Sequence, residues 1–422
     1  MSRVTRTEAA EICSNLIRFD TTNPGRGERP AAEYVAELLA ERGIEPIVLE
    51  SAHRRTNVVA RIPGDSPDAL LIHGHLDVVP AEAAGWKIHP FSGEIADGCV
   101  HGRGAVDMKG SLAMTLAWAR QGVRPKRDIV LCFLADEEST GEYGSRFLVD
   151  HHPHLFEGCS EAISESGGFT VTADGARIYP VALGERGTAW MKVTAHGVAG
   201  HGSKPPTDNP VAELARALTH LVEYQWPIRL TPAVATLIES LGRALGTPID
   251  LDDLDAELTR LPPAATALFR GVIRNSANPT MLNAGYKVNV IPETAEAHID
   301  GRFVPGTQEE FLETVDRLLG PKITREFVNL EEAPSAPAEG IFHELGAALR
   351  AEDPAAIPVP YVMSGGTDAK SFARLGIRGY GFAPLELPPS LDYFAMFHGV
   401  DERVPVAGLD FGVRVLNHLL GG

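Results

Sequence analysis

Three short apolar runs in this chain end in side chains that bind metal ions or move protons. "ALLIHGHLD" ends with His75 and Asp77, "IVLCFLADEE" with Glu137 and Glu138, and "AISES" with Glu165 just before its final serine. His75 and Asp77 are two apart, so on an extended backbone both point the same way, and the aspartate can accept the hydrogen bond that orients a ligand imidazole. The neighbouring carboxylates of "ADEE" can divide the work, one holding a cation and the other taking a proton from its water. Asp107, in "GRGAVDMKG", adds a carboxylate just before a helix, and His398, in "MFHGVDE", adds a late histidine. Histidine nitrogen and carboxylate oxygen without thiolate suit zinc in a catalytic site, although cobalt and manganese accept the same donors. Five ligand candidates exceed what one tetrahedral ion takes, and they match two ions sharing Asp107 as a bridge.

Taken singly, each piece has an ordinary explanation. Acidic residues after a strand often favour a following helix N-terminus, and His73 can be a core histidine. Convergence is what these explanations leave out, and convergence needs a particular sheet. In an open parallel sheet the carboxyl ends of the strands form one edge, where ligands bind.

The chain has the elements for such a sheet. Residues 7 to 19 place Ile12, Leu16 and Ile17 at helical spacing, and "PAAEYVAELLAERG" repeats the pattern before stopping at Gly43. Short apolar segments follow, "EPIVLES", "TNVVARIPG", "DALLIHGH", "DIVLCFLADEE" and "EAISES", with the helical "GSLAMTLAWAR" between the third and fourth. This alternation predicts an α/β fold, a mostly parallel sheet flanked by helices. Near Gly184 the pattern changes. "TAWMKVTAHGV", "NPVAELARALTHLVEY", two strands within "YKVNVIPETAEAHIDGRFVP", "TQEEFLETVDRLL" and "ITREFVN" give the strand and helix order of a ferredoxin-like α+β sandwich. The Leu- and Ala-rich stretch near 226–281, broken by prolines, reads as a helical insertion into this smaller domain. From about Ala333 a helix, a strand around Val359, a Gly-rich loop, "RGYGFAP" and a last helix rejoin the first sheet. The expected domains are 1–184 and 333–422 for the first unit and 185–332 for the inserted one.

At 422 residues, two domains are the default. A formal charge of −18 with no basic run argues against nucleic acid and against an anionic membrane. Cys13, Cys99, Cys132 and Cys159 contain no C-x-x-C pair, which points to reduced thiols, and "MSRVTRTEAAEICSNLIRF" lacks a long apolar stretch; a cytoplasmic location is expected. "DHHPHLFEG" reads as a solvated loop. The glycines of "HGRGAVDMKG" do not follow a buried strand at G-x-G-x-x-G spacing, so a dinucleotide site is not expected.

In order along the chain, "HGHLDVVP", "GRGAVDMKG", "ADEE", "SESG", "GHGSKP", "NVIP", "SGGTDA" and "FHGVDE" closely resemble the co-catalytic zinc exopeptidase and aminoacylase family. That family includes aminoacylases, acetylornithine deacetylase, succinyl-diaminopimelate desuccinylase, carboxypeptidase G and several dipeptidases. The resemblance runs from about Asn57 to Val404. It implies a zinc-peptidase-like catalytic domain with a lid and dimerisation domain, and two zinc ions per subunit. His75 and Glu165 would bind one ion, Glu138 and His398 the other, and Asp107 would bridge them. Glu137 would be the general base, and Asp77 the orienting residue behind His75. His73 matches no family function.

The same resemblance implies that His201, in "GVAGHGSKP", reaches across a homodimer to stabilise the oxyanion in the neighbouring site. Asn289 and Arg302 match substrate-contacting positions, and an arginine can hold a carboxylate in bidentate geometry. Gly365, Gly366 and Thr367 match the loop that lines the pocket. A glutamate at position 165 accompanies deacylases and carboxypeptidases in that family. The implied activity is amide hydrolysis of N-acyl amino acids or small peptides with a free carboxylate. The alternatives are a dipeptidase or aminopeptidase-like enzyme, or a biosynthetic deacylase. A non-catalytic scaffold would lack a ligand or the base, and here the full set is present.

Overall fold

Why do the three strand endings meet? The strand Ala69–His75 is buried along its whole length, as a strand covered on both faces must be. It sends Leu70 and Ile72 into one core and Ala69 and Leu71 into the other. It lies between Asp128–Leu134 and Cys159–Ser164, parallel to both, so the residues following all three strands leave the sheet on the same edge.

In the computed structural model, which describes residues 7–204, 208–332 and 334–421, these strands form the centre of a nine-stranded sheet. Its order is Pro46–Ala52, Arg55–Ile62, Asp128–Leu134, Ala69–His75, Cys159–Ser164, Arg378–Gly381, Ala176–Glu185 and Ala356–Met363, with Val171–Ala173 beside Ala176–Glu185. Four central strands are parallel, and antiparallel pairs finish one side. The helices Glu8–Arg18, Lys109–Ala119 and Val406–Leu420 share one core, and Ser145–His151 packs on the opposite face. Thr7 caps the first helix by accepting from the Ala10 amide. Ala333, the expected start of the returning segment, and Pro205 of "GHGSKP" lie outside the described residues.

A second sheet has the order Ser276–Ala284, Thr294–Phe303, Gly187–His196 and Ile323–Glu331, all antiparallel. Its helices Pro210–Glu223 and Gln308–Leu319 pack on one face, around Met191, Leu214, Ile299 and Phe311. This is the ferredoxin-like arrangement, with one strand displaced from its expected position. The second strand is Ser276–Ala284 rather than the segment around Tyr286, and Val290–Ile291 pairs instead with Gly200–His201 in a small ribbon. Pro279 hid that strand from a pattern reading. It sits on the sheet edge, where a ladder tolerates proline, beside a register shift between Pro279 and Met281.

The helices within 226–281, expected to elaborate the smaller unit, instead join the large sheet's core. Val234, Leu237, Ile238 and Leu241 of the helix Pro232–Ala244 share that core with Val359 and Tyr361. Insertion in sequence and attachment in space therefore differ. No helix among the described residues is long and apolar enough to cross a membrane.

Candidate dinuclear metal centre

His75 ends its strand and is held from both sides. Its backbone N–H donates to the Met108 sulfur at 3.2 Å, and Gly74 makes this possible, because a Cβ there would fall 2.3 Å from the Met108 terminal methyl carbon. The loop carrying Asp107 is thereby brought against the end of the strand. The His75 imidazole uses Nδ1 toward the Asp77 carbonyl oxygen, 3.0 Å away, with the Asp77 carboxylate at 3.5 Å. The orienting partner is therefore first the Asp77 main chain and only second its side chain. Nε2 faces Asp107 Oδ1 at 3.1 Å and Glu165 Oε2 at 3.7 Å.

Asp107 presents its other oxygen, Oδ2, to His398 Nε2 at 3.3 Å, and Glu138 Oε2 lies 3.1 Å from the same nitrogen. Two groups of donor atoms result, each within 4.8 Å of one another: His75, Asp107 and Glu165, and then Asp107, Glu138 and His398. Asp107 belongs to both. His398 and Asp136, which precedes Glu137, have φ of 56° and 68°, a left-handed conformation that histidine and aspartate adopt more readily than most residues.

The electrostatics fit a cation. Burial and the neighbouring Asp107 push the Glu165 carboxyl up to about 8. Burial and Asp107 likewise raise Glu138, against the opposing hydrogen bond from His398. Hydrogen bonds to Asp107 and Glu138 raise His398 to about 10. His75, which burial alone would keep neutral, is raised well above its usual range by Asp107, Asp77 and Glu165. Glu138 Oε1 is buried without a hydrogen-bond partner. Crowded carboxylates that hold protons, and an orphaned acceptor, are what a pair of divalent cations would relieve.

Glu137 projects beside this cluster, with Oε2 3.9 Å from His75 Nε2. Burial raises its carboxyl well above the usual range, and Glu165, Asp368 and Glu138 add to the effect against His75. Its position is set by Asp77, whose Oδ1 accepts from the Glu137 amide and whose Oδ2 accepts from the Glu138 amide, both at 3.1 Å. Asp77 is thus the common anchor of three side chains.

Sequence reasoning missed the supports. Glu402 is fully buried; it accepts from the amides of Val106 and Asp107 through Oε1, and from Gly104 and Arg103 through Oε2. Arg103 also donates to the carbonyl oxygens of His398 and Gly399. One ion pair therefore ties the Asp107 loop to the His398 loop. Asn23 bridges Asp77 and Asp136, donating at 2.8 and 3.0 Å. A carboxylate after "FHGVD" was the available signal for Glu402, since a buried acid between two glycine-rich loops can satisfy several amides at once.

The centre opens into a cleft of about 490 Å³ that also reaches the small sheet. Gly365, Gly366, Thr367 and Arg302 line it; His201 and Asn289 do not. Both are exposed, His201 in the small ribbon and Asn289 just before its other strand. The Ser203 amide donates to His201 Nδ1 at 3.2 Å, which leaves Nε2 as the N–H of the neutral ring. Arg302 is paired with Asp300 at 2.7 Å and donates to the Thr188 hydroxyl at 3.0 Å. Lys370, which sequence reasoning passed over, donates to the same hydroxyl at 3.1 Å. A side chain at Gly366 would place Cβ 2.7 Å from the Lys370 ammonium nitrogen and displace it from Thr188. His73 is buried beside Phe372 with both ring nitrogens unpartnered, and burial lowers it to about 3, so it stays neutral.

With this geometry in hand, comparison with known proteins is informative. A model of peptidase family M20/M25/M40 matches residues 71–421. Human N-fatty-acyl-amino acid synthase/hydrolase PM20D1 is 28% identical over 389 residues, covering 85% of this chain and 75% of that protein. Pig aminoacylase-1 is 26% identical over 426 residues, covering 96% and 92%. The crystal structure of the M20 metallo-carboxypeptidase Sso-CP2 from Sulfolobus solfataricus superposes with a TM-score of 0.73 at 18% identity, covering 98% of each chain, which establishes the shared fold.

Proposed function

The chain belongs to peptidase family M20/M25/M40 and is a metal-dependent hydrolase; from that premise we propose that it cleaves the amide bond of N-acyl amino acids or small peptides bearing a free carboxylate. One observation carries the substrate class. A single cleft holds the base and the donor cluster on one wall, and on the other holds Arg302 and Lys370 converging on the Thr188 hydroxyl. Two cations directed at one point suit a carboxylate.

The donor set suits two zinc ions, with Asp107 shared between them. Bound divalent cations supply the positive charge that acidifies a water and polarises an amide carbonyl. The chain's own part follows. The Glu137 carboxylate takes a proton from the water whose oxygen joins the carbonyl carbon. When the carbon–nitrogen bond breaks, Glu137 returns that proton to the departing nitrogen, giving a carboxylic acid and a free amine. Asp77 keeps Glu137 and His75 in register throughout.

The test is amine release by zinc-loaded protein from a panel of N-acyl amino acids, dipeptides and their C-terminal amides, with and without chelator. Chelator-sensitive release that strongly favours the free carboxylates is expected. Equal rates on the amidated analogues would remove the carboxylate requirement, and insensitivity to chelator would remove the metal.

The domain division is read as a catalytic unit of 1–184 and 333–422 with a lid of 185–332. A homodimer is read from the exposed apolar residues of the second sheet and of the connection to the ribbon, among them Met281, Leu282, Val328 and Val288. In such a dimer, His201 would donate its Nε2 proton to the oxyanion in the partner's cleft. Mixing inactive His201→Ala subunits with inactive Glu137→Ala subunits is then expected to restore activity. Failure in demonstrated mixed dimers would confine each site to its own chain. Four unpaired cysteines, two of them buried, support a reducing, cytoplasmic setting.

A further inference from the structure

Three buried carboxylates, Glu28, Asp77 and Asp136, converge on two polar side chains, Asn23 and Arg55. Arg55 opens the strand Arg55–Ile62, which pairs antiparallel with Asp128–Leu134. Val58 stands opposite Phe133, and Arg55 and Asp136 each lie three residues further toward the same end of that ladder. The register that builds the sheet thus sets the guanidinium against the residue before Glu137. Nη1 donates to Glu28 Oε1 at 2.6 Å, and Nη2 donates to Asn23 Oδ1 at 3.0 Å and to Asp136 Oδ1. A rigid planar fork can serve acceptors from separate segments in this way.

Arg55 also dictates which way Asn23 points. With Oδ1 held by the guanidinium, Nδ2 turns to Asp77 Oδ2 and Asp136 Oδ1, 2.8 and 3.0 Å away. The reversed amide would aim its carbonyl oxygen at two carboxylates and its N–H groups at a cation. Asp77 in turn accepts from the Glu137 amide. Asp136 fixes its own turn by accepting from the Thr140 hydroxyl and the Tyr143 amide, both at 3.2 Å. Arg55 therefore reaches Glu137 by two routes, one through Asn23 and Asp77 and one through Asp136, although it is not among the residues lining the cleft. We infer that Arg55 is a positioning residue for Glu137, holding that carboxylate where it can take and return a proton. This rests on the role of Glu137 proposed above. The donor atoms depend on Arg55 less, because His75 leans on the Asp77 main-chain carbonyl, and the Asp107 and His398 loops are tied by Glu402 and Arg103.

The experiment is steady-state kinetics on zinc-saturated Arg55→Ala, with metal content measured on the same samples. The value of kcat is expected to fall by about 10–100-fold, with KM changed by less than about twofold and both ions retained. Removing the cation strands buried carboxylates, so Asn23→Ala is measured beside it. That variant cuts the relay with the Arg55 and Glu28 pair intact, and the same loss confined to kcat is expected. Adding either substitution to Glu137→Ala should lower the residual kcat by less than about twofold, because the group being positioned is already gone. Parent-like kcat in either variant overturns the inference. So does a loss of kcat that tracks lost metal, which would make Arg55 a support of the ligands, or a full additional loss in the Glu137→Ala background, which would place its effect elsewhere. The reading of Glu137 as the base fails separately, by near-normal turnover of Glu137→Ala with Arg55 in place.

Discussion

Replacing Glu137 by alanine is expected to leave both metal ions bound while kcat falls by about 10²–10⁴-fold. The geometry separates the two properties. Glu137 belongs to neither group of ligand atoms, although it stands beside them, so its removal leaves the donor sets complete. What would be lost is the carboxylate beside the two donor groups that the proposed reaction uses to take and return a proton. Burial has already raised that carboxyl well above its ordinary range, which suits a group that must accept a proton from water and then release it. Because the proton moves only in the transition state, KM should change little. Elemental analysis of the purified variant beside steady-state kinetics decides the matter. Near-normal kcat removes Glu137 from the reaction, and loss of metal together with activity makes it a ligand.

The residues with this chemistry were legible because strand geometry is strict. His75, Glu138 and Glu165 follow three apolar runs whose parallel pairing forces their ends to one edge, so reading the runs correctly was enough to gather these candidate ligands. Their supports are less visible. Glu402 acts through four donors contributed by Arg103, Gly104, Val106 and Asp107, nearly 300 positions away, and no local pattern announces a contact of that span. Lys370 directly follows the motif that holds Gly366 and Thr367 but is recognised only once the second sheet brings Thr188 opposite it. The insertion misled for a related reason. Amphipathic helices announce an apolar face and not the surface that will cover it, so Leu237 and Leu241 could as well have faced either sheet. The strand Ser276–Ala284 was hidden because Pro279 argues locally against a ladder that the sheet edge permits.

Asp107→Ala should have the broadest effect: loss of both ions and of turnover to the level of the chelated enzyme. Its two oxygens face different histidines, so one substitution removes a donor from each group, and two-atom remnants bind divalent ions weakly. The protein should nevertheless fold. The backbone of residue 107 remains bonded to Glu402, although the pairing of its carboxylate with His398 and His75, which outweighs burial and holds the Asp107 carboxyl well below its usual range, is lost. The metal-free variant should therefore melt below the metal-free parent, and the stabilisation that the parent gains on loading should disappear. The parent's loading should also be proton-linked. With His398 raised to about 10 and Glu165 to about 8, both hold protons near neutral pH and must lose them to become ligands. Metal binding then releases protons, and affinity rises with pH up to these values. Calorimetry in two buffers of different ionisation enthalpy measures the release directly. In Asp107→Ala, His75 and His398 each lose a carboxylate partner, so fewer protons are held and any residual binding should release fewer. Metal retained at full stoichiometry by this variant would show that the two groups do not share a bridge.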